Sequence, residues 1–94
     1  MTTHELKCWP AYFDQVAFGT KTFEVRLNDR GFRVGDELEL REWDPHTMEY
    51  SGRSVLMTIR FVLEAPEPST GLKDGYCVLG FFSPLFVEEV PIGG

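Results

Sequence analysis

Cysteine, histidine and positive charge are all scarce in this 94-residue chain, and each shortage removes a class of function. The two cysteines, Cys8 and Cys77, lie far apart and form no C-x-x-C pair, and only His4 and Cys8 are close enough to suggest a pair of metal ligands. No second close pair completes a tetrahedral set, so no metal site is expected and the thiols are expected to be reduced. Lysine and arginine number nine against fifteen acidic residues, and the net charge of −6 argues against binding a long duplex through the whole surface. No apolar run approaches the length that spans a bilayer, and the polar start Met-Thr-Thr-His-Glu lacks the basic and apolar regions of a secretory signal. The expectation is a soluble, cytoplasmic protein with no cofactor and no membrane partner. Internal repeats are lacking too.

What is present is material for one core. Hydrophobic residues make up 43% of the chain and include eight Phe, enough for one small domain over residues 1–94 and too many for a disordered chain. From Thr22 to Leu27 the residues alternate, with Phe23, Val25 and Leu27 on one face and Thr22, Glu24 and Arg26 on the other. The apolar face is expected to build the core. On the other face Glu24 and Arg26 are about 6–7 Å apart along the strand, within reach of a charge-assisted pair. Lys21 stands where the chain enters this strand, although three residues is an odd step and strict alternation would place it opposite Glu24. Residues 21–33 carry Lys21, Arg26, Arg30 and Arg33 against Glu24 and Asp29, a local excess of +2 on an acidic body. A small basic mouth of that kind suits one nucleotide or a short single strand better than a duplex.

Around this segment the chain reads as strands with one helix. Thr3 to Lys7 forms a first strand with His4 and Leu6 opposite Glu5 and Lys7. Pro10 suits a first helical turn and Gly19 a helix C-terminus, so a helix is expected over Pro10 to Phe18, with Tyr12, Phe13, Val16 and Ala17 as its apolar stripe. Trp9 serves either as a hydrophobic staple or as a base-stacking platform. Asn28 to Gly31 is a turn, and Glu37 to Trp43 a strand with Leu38 and Leu40 inward. Asp44 to Gly52 is a polar connection in which His46 is an exposed histidine or a proton shuttle. Val55, Met57, Ile59, Phe61 and Leu63 share one face of a long fourth strand. Glu64 to Ser69, with Pro66 and Pro68, is an acidic loop, and Tyr76 to Phe82 is a fifth strand, apolar on both faces and bent or closely approached at Gly80. Residues 83–94 are a C-terminal extension in which Leu85 to Val90 adds an edge strand or an interaction tail. The fold class is mostly β, or α+β: five to six strands with one short helix near the rim.

Gly19-x-Lys21-x-x-Glu24-x-Arg26 resembles the GxKxxExR signature of ASCH domains, small β-barrels related to the PUA fold. Outside the signature, His4-Glu5-Leu6-Lys7, Asn28-Asp29-Arg30, Val34-Gly35-Asp36, Leu40 to Asp44, Tyr50 to Arg53 and Gly71 to Tyr76 resemble successive blocks of the DUF3850 group within that superfamily. Cys8, Trp9 and residues 83–94 fall outside those blocks. The resemblance implies a PUA-like barrel with a cleft that has the signature residues at its floor. Candidate binding residues are then Lys21, Glu24, Arg26, Asn28, Arg30 and Trp9, with Lys21 and Arg26 offering positive charge to a phosphate or carbonyl oxygen.

Three functions compete. The first is a module that binds RNA or a nucleotide, helped by Trp9, Tyr12 and Trp43 as stacking surfaces. The second is a small hydrolase, with Lys21 and Glu24 as catalytic residues. Some ASCH-type proteins resemble amidohydrolases acting on N4-acetylcytidine through a lysine and a threonine, and here Lys21 matches the lysine while Glu24 occupies the threonine position. Ribonuclease chemistry is the other enzymatic form the resemblance implies. The third is a protein-interaction accessory that uses the acidic surface and the C-terminal segment.

Overall fold

In the computed structural model, residues 1–65 and 70–82 are described in full and residues 86–89 as backbone. Pro66 and Pro68, and residues 83–85 and 90–94 of the extension, lie outside the described residues. The elements in order are β1 (Thr3–Cys8), α1 (Pro10–Ala17), β2 (Phe23–Leu27), β3 (Glu37–Asp44), β4 (Glu49–Glu64), β5 (Tyr76–Phe81) and β6 (Phe86–Glu89). They form one sheet in the order β1-β3-β4-β5-β2, with β6 added beside β4.

The sixteen-residue β4 is the spine of this arrangement. Its N-terminal part pairs antiparallel with β3, its C-terminal part pairs with β5, and β6 joins it between Arg53 and Leu56. A hairpin joins β3 to β4 where a longer polar connection was expected. Asp44 makes that turn, its Oδ1 accepting from the backbone N–H groups of His46 and Thr47, and His46 is exposed at the tip. β1 lies parallel to β3, His4 beside Leu38 and Leu6 beside Leu40.

The sheet is open where a barrel was expected. β1 and β2 are the two ends of the strand path, and no backbone ladder joins them among the described residues. Side chains bridge the gap: an Arg26 guanidinium nitrogen donates to the Lys7 carbonyl, and Arg30 Nη1 donates to the Glu5 carbonyl at 3.0 Å. Residues 5 and 7 of a strand present their carbonyls to the same side, so the two arginines cap acceptors that a neighbouring strand would otherwise take.

The core gathers Leu6, Phe13, Val16, Leu38, Leu40, Val55, Met57, Ile59, Cys77 and Leu79, almost all without solvent contact. Helix α1 supplies Phe13 and Val16, each contributing about 1.5–3 kcal/mol by burial. Pro10 opens the helix, and Gly19, at φ 81°, donates its N–H to the Val16 carbonyl at its end. Arg53 fastens the helix to the sheet. It makes two 3.0 Å bonds to buried Glu42, one of 2.6 Å to Asp14, and covers the Phe13 ring at 4.6 Å. The β3–β4 register shifts between Arg41 and Trp43, beside that pair.

Two strand faces differ from expectation. A bulge at Arg60 changes the phase of β4, so Val55, Met57 and Ile59 are buried but Phe61 turns outward. On β2, Phe23, Val25 and Leu27 face outward and Glu24 is buried. The reason is the register with β5. Glu24 and Arg26 stand opposite Leu79 and Cys77, which point into the core, and cross-strand partners share a face. Gly80 fits the expected close approach, since a Cβ there would lie 3.3 Å from Phe61 Cβ.

Asp36 ties the start of β3 to β1. Its carboxylate accepts from His4 Nε2 at 2.9 Å, from the Arg33 N–H at 3.2 Å and from the Thr2 N–H at 3.3 Å, while the His4 ring meets Phe32 edge-on. The His4 hydrogen bond above all holds this carboxyl below its ordinary 3.8. A depressed native pKa stabilises the fold above the unfolded-state value, and that contribution disappears as pH falls through the native one. Urea melts between neutral pH and about pH 3 should therefore show stability falling on the acid side, below about pH 5. Asp36→Asn should flatten that fall; an unaltered acid limb would place the protonation elsewhere.

Candidate functional site

The segment leading into β2 is set by the end of the helix. After Gly19 the backbone N–H of Lys21 donates to the Gln15 carbonyl at 2.9 Å, and the Thr22 carbonyl accepts from Phe81 N–H at 2.9 Å. Lys21 thus sits before the regular strand, which begins at Phe23, and alternation does not govern its side chain. Its Nζ lies 2.7 Å from Glu24 Oε1, which removes the parity conflict in the sequence. Arg26 Nε donates to Glu24 Oε2 at 3.1 Å. Glu24 is thereby clamped by two cations, one on each oxygen, with its side chain only 7% exposed.

This clamp lies in a cavity of about 480 Å³ lined by Lys7, Trp9, Tyr12, Lys21, Phe23, Glu24, Val25 and Arg26. Trp9, Tyr12 and Phe23 are half-exposed and form an aromatic rim. The Lys21 ammonium lies 5.2 Å from the Tyr12 ring centre and 5.3 Å from that of Phe23, while Lys7 covers Trp43 at 4.1 Å. Three cations against one carboxylate make the cleft positive on an acidic protein. A second cavity, of about 330 Å³, is lined by Pro10, Glu42, Asp44, Thr47, Glu49, Tyr50 and Ser51 and has the opposite charge.

Of the residues singled out in the sequence, Lys21, Glu24, Arg26 and Trp9 meet in the positive cleft. Asn28 and Arg30 are not in its lining. Asn28 follows β2, where its backbone N–H donates to the Gly75 carbonyl and its Oδ1 is buried without a partner; Arg30 is occupied with the Glu5 carbonyl. Trp9 is the helix N-cap and remains half-exposed at the rim, while the positions that flank a staple are Cys8 and Phe13, both in the core. Trp43 stacks with Lys7 and is not in the lining. Lys7, Phe23 and Val25 are lining residues that the sequence reading did not assign to the site. Lys7 enters because β1 and β2 end side by side, an arrangement no local spacing encodes.

Cys8 lies next to the clamp. Burial, reinforced by the Glu24 carboxylate, raises its thiol to about 11, so it stays protonated at neutral pH. Among the described residues no group of three or more His, Cys, Asp or Glu is placed to hold a metal ion.

Because Arg26 bonds both Glu24 and the β1 carbonyl, Arg26→Ala should cost about 1–3 kcal/mol in urea unfolding. Arg26→Lys should recover only a small part, since one ammonium on a flexible stem does not reproduce the two-sided guanidinium contact. Wild-type stability in Arg26→Ala would show that the bridge between β1 and β2 carries no weight.

The chain is similar to an Escherichia phage P2 protein described as an uncharacterized 12.9 kDa protein in the GpA 3′ region, at 34% identity over 85 residues, 90% of this chain and 76% of the phage protein. No helix among the described residues is long and apolar enough to cross a membrane. Residues 3–81 match DUF3850, a domain of unknown function, and the protein belongs to that family.

Proposed function

We propose that this protein is a nucleotide- or RNA-binding module whose ligand base enters the cleft over Glu24. The observation that carries this reading is the buried Glu24 carboxylate, held between Lys21 and Arg26 at the floor of an aromatic-rimmed, positively charged cavity. A carboxylate fixed by two cations cannot swing away, and its remaining lone pairs can accept hydrogen bonds from the amino or imino edge of a base. Trp9, Tyr12 and Phe23 offer faces on which the base can stack, and Lys7 and Lys21 are within the same lining for its phosphate. The wider ASCH, PUA-like relationship belongs to the same proposal, supported by Lys21, Glu24 and Arg26 of the signature meeting in the cleft.

The clamp favours binding over hydrolysis. Both oxygens of Glu24 already accept from cations, Lys21 is committed to that pair, and the nearby thiol is held protonated. None of the three is poised as an unencumbered base or nucleophile.

The test is a ligand-observed NMR titration with nucleosides, N4-acetylcytidine, mononucleotides and short RNA oligomers, each followed for a day. Saturation transfer to at least one base without chemical change is expected, weakened about tenfold or more in Glu24→Gln, with a shallow salt dependence of about 0.7 per phosphate contacted. Folding of Glu24→Gln is checked by its thermal unfolding. No binding by any member of the panel overturns the reading; new product signals that depend on Lys21 and Glu24 replace it with the hydrolase.

A further inference from the structure

The phase change in β4 and the inversion of β2 leave one sheet face with an unusual surface. Outward on β2 stand Phe23, Val25 and Leu27, opposite Gly80, Val78 and Tyr76 of β5, and Phe61 and Leu63 of β4 flank the other side of β5. No charged residue occupies an outward position among these pairs, although the whole chain carries −6. Arg60 and Lys73 stand at its margins, lying over the rings of Phe82 and Tyr76. Gly80 forms the floor between Phe23 and Phe61, a shallow slot that any larger residue would begin to fill.

We infer that this face is the contact through which two copies of the chain associate, packed sheet against sheet. Phe23, Val25, Leu27 and Phe61 are each about half exposed. Together with the partly buried Leu63, Tyr76 and Val78, they offer on the order of 500 Å² of apolar surface, at the upper end of what a monomer leaves to water. Two such faces bury about 1,000 Å², the size a specific interface has to reach. The lack of charge at the centre decides the occupant. Two molecules that repel each other elsewhere through their net charge meet here without an opposing pair, and a face of aliphatic and aromatic side chains matches itself across a two-fold axis. The chain does not cover the face with its own β6, which runs beside β4 from Leu56 to Arg53, away from Phe61.

The pairing has a consequence for the cleft. Phe23 and Val25 belong both to this face and to the cavity lining, so the second copy stands beside the cleft mouth. The association rests on the outer face alone, so it is tested on the ligand-free protein and stands whether or not the cleft binds a nucleotide.

Sedimentation velocity from about 1 μM to about 1 mM should show the mass doubling within that range. Leu27→Glu combined with Phe61→Glu, two exposed positions outside the cleft, should remain monomeric throughout with an unchanged circular dichroism spectrum. In a mixed isotope-labelled sample of the unaltered protein, intermolecular NOEs should connect Val25 and Val78 methyls with aromatic protons of the other copy, which keeps the test independent of the variant's folding. A monomer at the highest concentration, a dimer unaffected by the double substitution, or intermolecular NOEs confined to other surfaces each overturn the inference. So does a face whose signals move only when a different protein is added.

Discussion

Arg26 is the side chain through which the sheet, the cleft and the burial of Glu24 depend on one another. With Nε on Glu24 and a terminal nitrogen on the Lys7 carbonyl, it joins the two ends of an open sheet and fixes the carboxylate between them. Burying a lone carboxylate costs several kcal/mol, and two charge-assisted bonds, from Lys21 and Arg26, offset that cost. Remove either, and the other must balance a buried charge alone. A structural requirement and the proposed recognition surface therefore fall on the same three residues, which separates them from ordinary charges on a half-exposed strand.

The helix depends on a parallel device of its own. Arg53 takes Glu42 and Asp14 at once, across β4, β3 and α1, and lies on Phe13. It neutralises acidic charge behind the helix while Lys21 and Arg26 hold the clamp in front. Helix α1 runs between these two ion networks, and its C-terminal turn presents Lys21 through the Gln15 carbonyl. The position of the clamp lysine thus follows from the packing of Phe13 and Val16, several residues earlier in the chain.

Much of this was legible in the sequence. The positions of five strands, the helix from Pro10 to its glycine-marked end, and the pairing of Glu24 with Arg26 follow from alternation, capping chemistry and spacing, whereas the sixth strand was one of two readings of Leu85 to Val90 and the first turn of β4 lay in what read as a polar connection. What was not legible was which side of a strand faces in. β2 offered an apolar face and a charged one, and the usual rule sends the apolar face inward. β5, apolar on both faces, accepted either choice, and only its register with β2 decided that Cys77 and Leu79 share a side with Arg26 and Glu24. The bulge at Arg60 is similarly silent, because Val55 to Leu63 alternates without a break in the sequence and the phase changes only in pairing with β5. Lys7 and Arg30 were hidden for a third reason. Their placement arises where strands distant in sequence end beside each other, and the carbonyls of β1 have no sequence signature at all.

These two hidden decisions have a common outcome. Had β2 presented Phe23, Val25 and Leu27 inward, Glu24 and Arg26 would have been solvated on the outer surface, and the cavity would have been filled by apolar side chains. The charged interior exists because the apolar residues are outside, so the cleft and the exposed sheet face are two sides of one choice of register. Phe23 shows this most directly. Its ring is within cation–π distance of Lys21 at the cleft rim, while its backbone position places it in the row with Gly80 and Phe61 on the outer face. A contact that shifts Phe23 from the outside must change the surroundings of Lys21, and a ligand that orders the rim must act on the outer face by the same amount, because coupling between two binding events is reciprocal.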